Sequence, residues 1–194
     1  DEYWKFPRPD ALVQATAATA EVVNNDEAPL MDGQPCLRAV FVDGVFDADA
    51  SDDLALEGIE ISRLADTTAD IHWAQSLHGT LETAGQTPVA RPIAALVTAF
   101  ATDGLLIRVT GTPSKPVNVI YNRTSDNADV MLHHVIKLEQ GASLTLLESG
   151  PAAARLSTVM EVDVADTAAF HHVRTQGRDH QRLAATHLFG RLGT

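Results

Sequence analysis

The sequence predicts a mainly β protein whose second half is a parallel β-helix, a solenoid of stacked coils. The first observation is a loose repeat, because residues 138–144 (LEQGASL) return as residues 164–170 (VADTAAF), 26 residues later. Repeats of about 20–50 residues are typical of stacked architectures. The second observation is a series of short, Val-, Ile- and Leu-rich segments after Gly104, separated by turn residues. Such strands also occur in sandwiches and barrels, so both stay open on periodicity alone.

Six strands are predicted in this half, at residues 105–109, 117–121, 130–138, 144–147, 156–164 and 170–173. Alternation of apolar residues is clearest in Leu144-x-Leu146 and Met160-x-Val162-x-Val164. The same offset added to Thr167 gives Gly193, so a further turn is predicted where the sequence stops, in mid-coil. Because an uncapped coil exposes strand edges and core, we expect the natural gene to continue past Thr194.

A smaller mixed α/β region is predicted for residues 1–103, followed by the β-helix portion over residues 104–194. Residues 37–42 form a predicted strand, Asp43-Gly44 a hairpin turn, and residues 45–46 and 59–61 further short strands. Residues 70–83 follow a helical pattern, and a second helix is predicted from Pro92 to the Asp103-Gly104 pair. The first helix places one stripe on a single face: Ile71, Ala74, Leu77, His78 and Leu81.

Composition excludes several classes of protein. The net charge of −12 argues against a nucleic-acid-binding protein, which needs clustered Lys and Arg. The longest apolar run, residues 93–101, is far shorter than the ~20 residues of a membrane span. Cys36 is the only cysteine, which excludes an internal disulfide and a self-sufficient iron–sulfur site. A lone thiol without a signal peptide indicates a cytoplasmic protein.

Two histidine pairs, His133-His134 and His171-His172, invite a metal-site interpretation. Adjacent residues of a strand point to opposite faces, however, so neither pair can readily bind one ion with both rings. We therefore favour stacked or surface histidines.

The carboxylates and the search for nucleophile motifs likewise point to no specific catalytic chemistry. Glu139 and Glu148 flank a turn and could act as an acid–base pair, whereas Asp52-Asp53 lies in a polar loop and is predicted to be solvated. No phosphate-binding loop or nucleophile elbow is present. The sequence thus identifies no catalytic, cofactor-binding or metal-binding residue.

Four segments, which occur in the family's order, resemble the SufB/SufD family of iron–sulfur cluster assembly scaffolds. Within that family they are most similar to the SufD members. They are residues 2–6 (EYWKF), 40–46 (VFVDGVF) with Ser51, 92–104 (PIAALVTAFATDG) and 134–142 (HVIKLEQGA). Phe6-Pro7 stands where the family commonly has Tyr-Thr, and Val97 replaces an Asn.

The resemblance implies a right-handed parallel β-helix from about Gly104 and a non-enzymatic scaffold. Such a scaffold pairs with SufB, or with a second SufD, and binds the ATPase SufC. It also implies that the chain alone holds no cofactor, since the complex assembles the iron–sulfur cluster transiently. The family's interfaces and its proposed assembly histidine are expected beyond Thr194, so none of those residues transfers to this sequence.

Two alternatives stay open. One is a metal-dependent β-helix or cupin-like enzyme that uses His133 or His134 together with His171 or His172. The other is a stand-alone, homodimeric binding module.

Overall fold

A computed structural model of the chain describes residues 9–22, 31, 33–67, 72–150, 153–175 and 181–193. This described part is mainly β, as predicted, with three helices and a 3-10 turn at Pro9–Ala11. Its strands are β1 (Leu37–Val42), β2 (Val45–Asp47), β3 (Ile59–Arg63), β4 (Leu105–Val109), β5 (Val117–Asn122), β6 (Asp129–Leu138), β7 (Ser143–Ser149), β8 (Arg155–Val164), β9 (Ala169–Arg174) and β10 (Leu183–Leu192). The helices are α1 (His72–Gln75), α2 (Thr80–Ala84) and α3 (Pro92–Phe100).

The strands form two five-stranded mixed sheets. The first sheet has the order β2-β1-β5-β7-β9, and the second has the order β10-β8-β6-β4-β3. From β4 to β10 the chain alternates between the two sheets, and each strand lies parallel to its same-sheet neighbours in this run. Among the described strands only β2 and β3, at one edge of each sheet, are antiparallel to their partners.

The repeat seen in the sequence coincides with strand pairing. Leu138 pairs with Val164 on β8, and Leu144 pairs with Phe170 on β9, so the two copies lie side by side. The expected third copy at the same offset was wrong, because Val164 pairs with Leu192, 28 residues on. Connections outside the hydrogen-bonded ladder absorb inserted residues at little cost, which allows the offset to vary.

The main core lies between the two sheets. It is built from inward-facing Leu, Ile, Val and aromatic side chains of both sheets, including Phe41, Ile107, Leu132, Leu144 and Leu156, each at most 1% exposed. Burial of one such side chain contributes roughly 1.5–3 kcal/mol. Alternation along each strand therefore decides which polar side chains enter this core and which face away from it.

The hairpin predicted at Asp43-Gly44 is confirmed. Both residues have positive φ, 48° and 82°, as a two-residue turn between antiparallel strands requires. The Asp43 carboxylate also accepts the backbone N–H groups of Thr124 and Ser125 at 3.0 and 3.2 Å. The hairpin is thereby fastened to the segment that follows β5.

The helices pack on the outer face of the second sheet. Trp73, Ala74 and Leu77 contact Leu106 and Val135, while Ala94 and Val97 of α3 contact Val159 and Phe189. Trp73 is thus a packing anchor. Within the described residues no helix is long and apolar enough to cross a membrane.

The predicted continuous helix over residues 70–83 was wrong, and residues 70–71 lie outside the described residues. The structure has two short helices there, since Gly79 adopts φ 74°, a left-handed conformation that interrupts the helix. The helix predicted from Pro92 begins there but ends at Phe100, before Asp103-Gly104, because Ala101 is extended.

Strand β10 was not predicted, and the proposed boundary after residue 103 falls between α3 and β4. Strand β1 is parallel to β5 and strand β3 is antiparallel to β4, so elements from both sides of that boundary share the same sheets.

Candidate functional site

Adjacent histidines of β6 belong to two different polar networks. His134 points into the main core, on the same face as Leu132 and Ile136. His133 points to the outer face with Val135, toward the helices. Because the two rings lie on opposite faces of one strand, they cannot bind a single ion together.

The inner network centres on Glu148 of β7, which is 1% exposed. The Tyr121 hydroxyl donates to Glu148 Oε1 at 2.6 Å, and His172 Nε2 lies 2.6 Å from Glu148 Oε2. His134 Nε2 lies 3.0 Å from the Tyr121 oxygen. The network therefore joins β5, β6, β7 and β9 across the space between the sheets.

The backbone fixes the tautomer of His134. The Leu105 N–H donates to His134 Nδ1 at 3.0 Å, so this nitrogen carries no proton. The ring is then neutral, with its proton on Nε2, where it donates to the Tyr121 oxygen. Burial, outweighing the nearby Glu148 charge, lowers the pKa of His134 to about 4, in agreement with this arrangement.

Glu148 carries a buried negative charge. Burial opposes its ionisation, but the hydrogen bonds from His172 and Tyr121 and the nearby charge of Arg174 outweigh burial and lower the Glu148 pKa to about 2. Burial and the Glu148 charge raise the pKa of the Tyr121 hydroxyl well above its ordinary value. At neutral pH, Glu148 is thus an acceptor only, and neither Tyr121 nor His134 gains or loses a proton.

The outer network centres on Glu161 of β8, which is completely buried. Its carboxylate accepts the backbone N–H groups of Gly79 and Glu82 at 2.6 and 2.9 Å, and His133 Nε2 lies at 2.8 Å. These hydrogen bonds outweigh burial and lower the pKa of Glu161. A side chain of the sheet thereby caps the first turn of α2, whose own cap residue, Gly79, has no side chain to do so.

His78 stacks on His133 above this carboxylate. The ring centroids are 4.1 Å apart and the planes differ by 27°. Lone pairs of stacked rings lie in nearly parallel planes, so they do not converge on one ion. Across the described part of the chain, no group of three His, Cys, Asp or Glu side chains could hold a metal ion.

The second predicted pair, His171-His172, is also divided. His172 joins Glu148, whereas His171 is exposed on the opposite face of β9. The structure therefore does not bring His133 or His134 together with His171 as a ligand set.

The predicted carboxylate pairs take separate partners. Glu139 binds Arg108 at 2.9 Å and Lys137 at 3.1 Å near the surface, away from the core network around Glu148. In the loop after β2, Asp52 forms an ion pair with the exposed Arg38 at 3.1 Å. Glu139 and Glu148 thus do not form the acid–base pair that their positions around a turn suggested.

A surface groove of about 500 Å³ lies between α2 and the outer side of β10. Arg191 at its rim is held by Asp163 through two hydrogen bonds of 2.8 Å. Arg91 donates to the Val89 carbonyl at 3.1 Å and lies over the Phe189 ring, 5.9 Å from its centroid. Both guanidinium groups therefore make contacts that stabilise the local structure.

No protein-family model and no curated protein matches this chain. Sequence reasoning missed the roles of Glu148 and Glu161, although Glu148 continues the inward alternation of Leu144 and Leu146, and an ionisable residue at such a position signals a buried network.

Proposed function

We propose that this chain is a non-catalytic scaffold subunit of a SufBCD-type iron–sulfur cluster assembly complex in the cytoplasm, where it pairs with SufB and binds the ATPase SufC. The observation that carries the proposal is the in-register parallel pairing of the repeat, in which Leu138 meets Val164 and Leu144 meets Phe170. This pairing is what stacked coils of the resembled family require.

We further propose that β4 to β10 form coils of a right-handed parallel β-helix. Successive strands alternate between the two sheets, and neighbours within a sheet run in the same direction. Parallel partners are separated by 26 to 29 residues, as in Leu138 with Val164 and Leu106 with Val135. Repeating separations of this size are typical of solenoids.

The two carboxylate networks support a scaffold better than an enzyme. Glu148 and Glu161 are both buried and both bonded to donors, so neither offers a proton or a free oxygen to a substrate. In the inner network no buried side-chain nitrogen or oxygen of Tyr121, His134 or Glu148 lacks a hydrogen-bond partner, and such a satisfied network stiffens a core. A stiff stack can pass a displacement at one end to a partner at the other, which suits a subunit whose partner ATPase drives rearrangement. The cluster is then formed transiently by the complex.

Affinity capture tests this proposal. The protein, expressed with a tag from its complete natural reading frame, is co-expressed with the SufB and SufC homologues of the same source and purified. We expect both partners to be retained at high salt. Retention of neither homologue, with the tagged protein folded by circular dichroism, would overturn the proposal.

A further inference from the structure

We propose that His78, His133 and Glu161 form a proton-sensitive latch, which holds residues 72–84 against the second sheet and releases them in acid while the sheets stay folded. The latch does not depend on the proposed partners. It rests on the contacts among these three side chains and on the short helices that they hold.

The segment depends on tertiary contacts for its order. Helix α1 has four residues and α2 has five, and helices this short are unstable alone. Besides apolar contacts of Trp73, Ala74 and Leu77, the polar attachment is Glu161, which receives two backbone N–H groups of the segment. A locally held segment with few turns opens at lower free energy than the sheets.

His78 is a titratable side chain of the segment, and its ring lies in this contact. Its Nε2 is buried and makes no hydrogen bond, and neither does the buried Nδ1 of the stacked His133. Protonation would give His78 an N–H on both nitrogens, and the one on Nε2 would be enclosed without an acceptor. Burial and the nearby His133 lower the pKa of His78, while the Glu161 charge opposes them with a smaller effect.

Two other buried titratable groups, His187 and Glu82, lie near the latch. His187 of β10, beneath the same helical layer, has its pKa lowered by burial and by Arg91. Glu82 of α2 is buried and opposes that effect on His187, and Glu161 has a lowered pKa. From α3, the neighbour of Gly79 is the uncharged Thr98.

The sign of the pH effect follows from these contacts. Released, His78 titrates near its ordinary pKa of about 6.5, whereas in the closed latch its pKa is lower. Acid therefore favours release, by up to tenfold for each pH unit below about 6.5, down to the pKa of the closed state. The sheets open at higher free energy than the segment, so they stay folded over the range in which the segment is released.

Hydrogen exchange read by mass spectrometry tests the latch from about pH 7.5 to about pH 5.5, with rates corrected for intrinsic exchange. We expect protection of peptides covering residues 72–84 to fall by up to tenfold over this range, while β6 and β8 stay more protected than the segment at both pH values. The variant His78→Phe keeps a stacking ring without a proton and should lose this pH dependence. His171→Phe, at an exposed site, is the matched control and should retain it.

The latch is overturned if the segment exchanges equally at both pH values, if it opens only together with β8, or if His78→Phe keeps the full pH dependence. A histidine titration by NMR on the unmodified protein covers the case of a variant that does not fold. There, a His78 pKa below that of the exposed His171 supports the latch, and an equal or higher value overturns it. Glu161→Gln removes the negative charge that accepts the N–H groups of Gly79 and Glu82. Amides of residues 72–84 should therefore exchange faster even at about pH 7.5.

Discussion

Glu148 and Glu161 are buried carboxylates, and both keep their charge through hydrogen bonds. Glu148 lies between the sheets, and Glu161 lies between the second sheet and the helices. Removing a partner from a buried charged group costs far more than the group's net contribution to stability. Substitutions at these sites should therefore lower the free energy of unfolding more than substitutions of surface carboxylates.

Glu148→Gln tests the inner charge. Glutamine presents an amide N–H₂ to at least one of the two donors on Tyr121 and His172, so one hydrogen bond is lost and donors face each other. We expect a loss of about 2–3 kcal/mol in the free energy of unfolding, measured by urea titration. Glu139→Gln is the matched control, because that carboxylate is partly exposed, and it should cost less than about 1 kcal/mol. Equal effects would contradict the buried network.

His134 should make stability depend on pH. Its pKa is lowered from 6.5 to about 4 in the folded state, so the folded protein resists a proton that the unfolded chain accepts. The stability it contributes is complete above about pH 6.5 and is lost as the pH falls toward 4, with a total on the order of 3 kcal/mol.

Urea midpoints between about pH 7 and pH 4 measure this loss, with His134→Gln as the comparison. Glutamine can accept the Leu105 N–H and donate to Tyr121 but does not titrate. Its stability should fall less steeply over the same range. A variant with an unchanged slope would show that His134 is not the group that titrates.

At the scale of elements, the close approach of β4 to β6 is set by a glycine. A Cβ at Gly104 would lie 1.9 Å from the His133 carbonyl oxygen, so the two backbones would have to separate. Gly104→Ala should cost about 3 kcal/mol or more by thermal or urea unfolding. Gly111→Ala is the control, since its nearest atom would be 3.5 Å away, and it should change stability by less than about 1 kcal/mol. A mild effect at Gly104 would mean that the strands are not so closely packed.

Strands with continuous apolar patterns could be predicted from the sequence. β5 to β9 were expected within a few residues of their bounds, because inward Leu and Val residues recur with period two. Strand β10 was missed, since Ala, Thr, His and Gly dilute its pattern, and its order comes from ten residues paired with β8. The division into α1 and α2 was missed because one left-handed glycine outweighs a good helical stripe.

The candidate site was less predictable than the fold. Alternation correctly separates His133 from His134, because that depends only on local geometry. The partners Glu148 and Glu161 come from other strands, and a single sequence does not specify which strands become neighbours. The stacking of His78 on His133 likewise depends on where a short helix docks.

At the scale of the whole molecule, the separation of the histidines into two networks predicts a protein without a stoichiometric transition metal. His133 lies in the outer network, His134 and His172 are joined only through Tyr121 and Glu148, and within the described residues no three His, Cys, Asp or Glu side chains could hold an ion. Elemental analysis of protein purified without chelators should find only trace zinc, iron and copper. One equivalent of a transition metal, retained after dialysis, would favour the metal-dependent enzyme over the scaffold.

We propose that this protein is a subunit of a SufBCD-type complex, and native mass spectrometry of that complex tests the proposal. The natural full-length protein would be co-expressed with the SufB and SufC homologues of the same source, and the intact complex weighed. We predict one copy of this protein with one SufB and two SufC. A protein found only alone or as a homodimer, while SufB and SufC associate without it, would overturn the proposal.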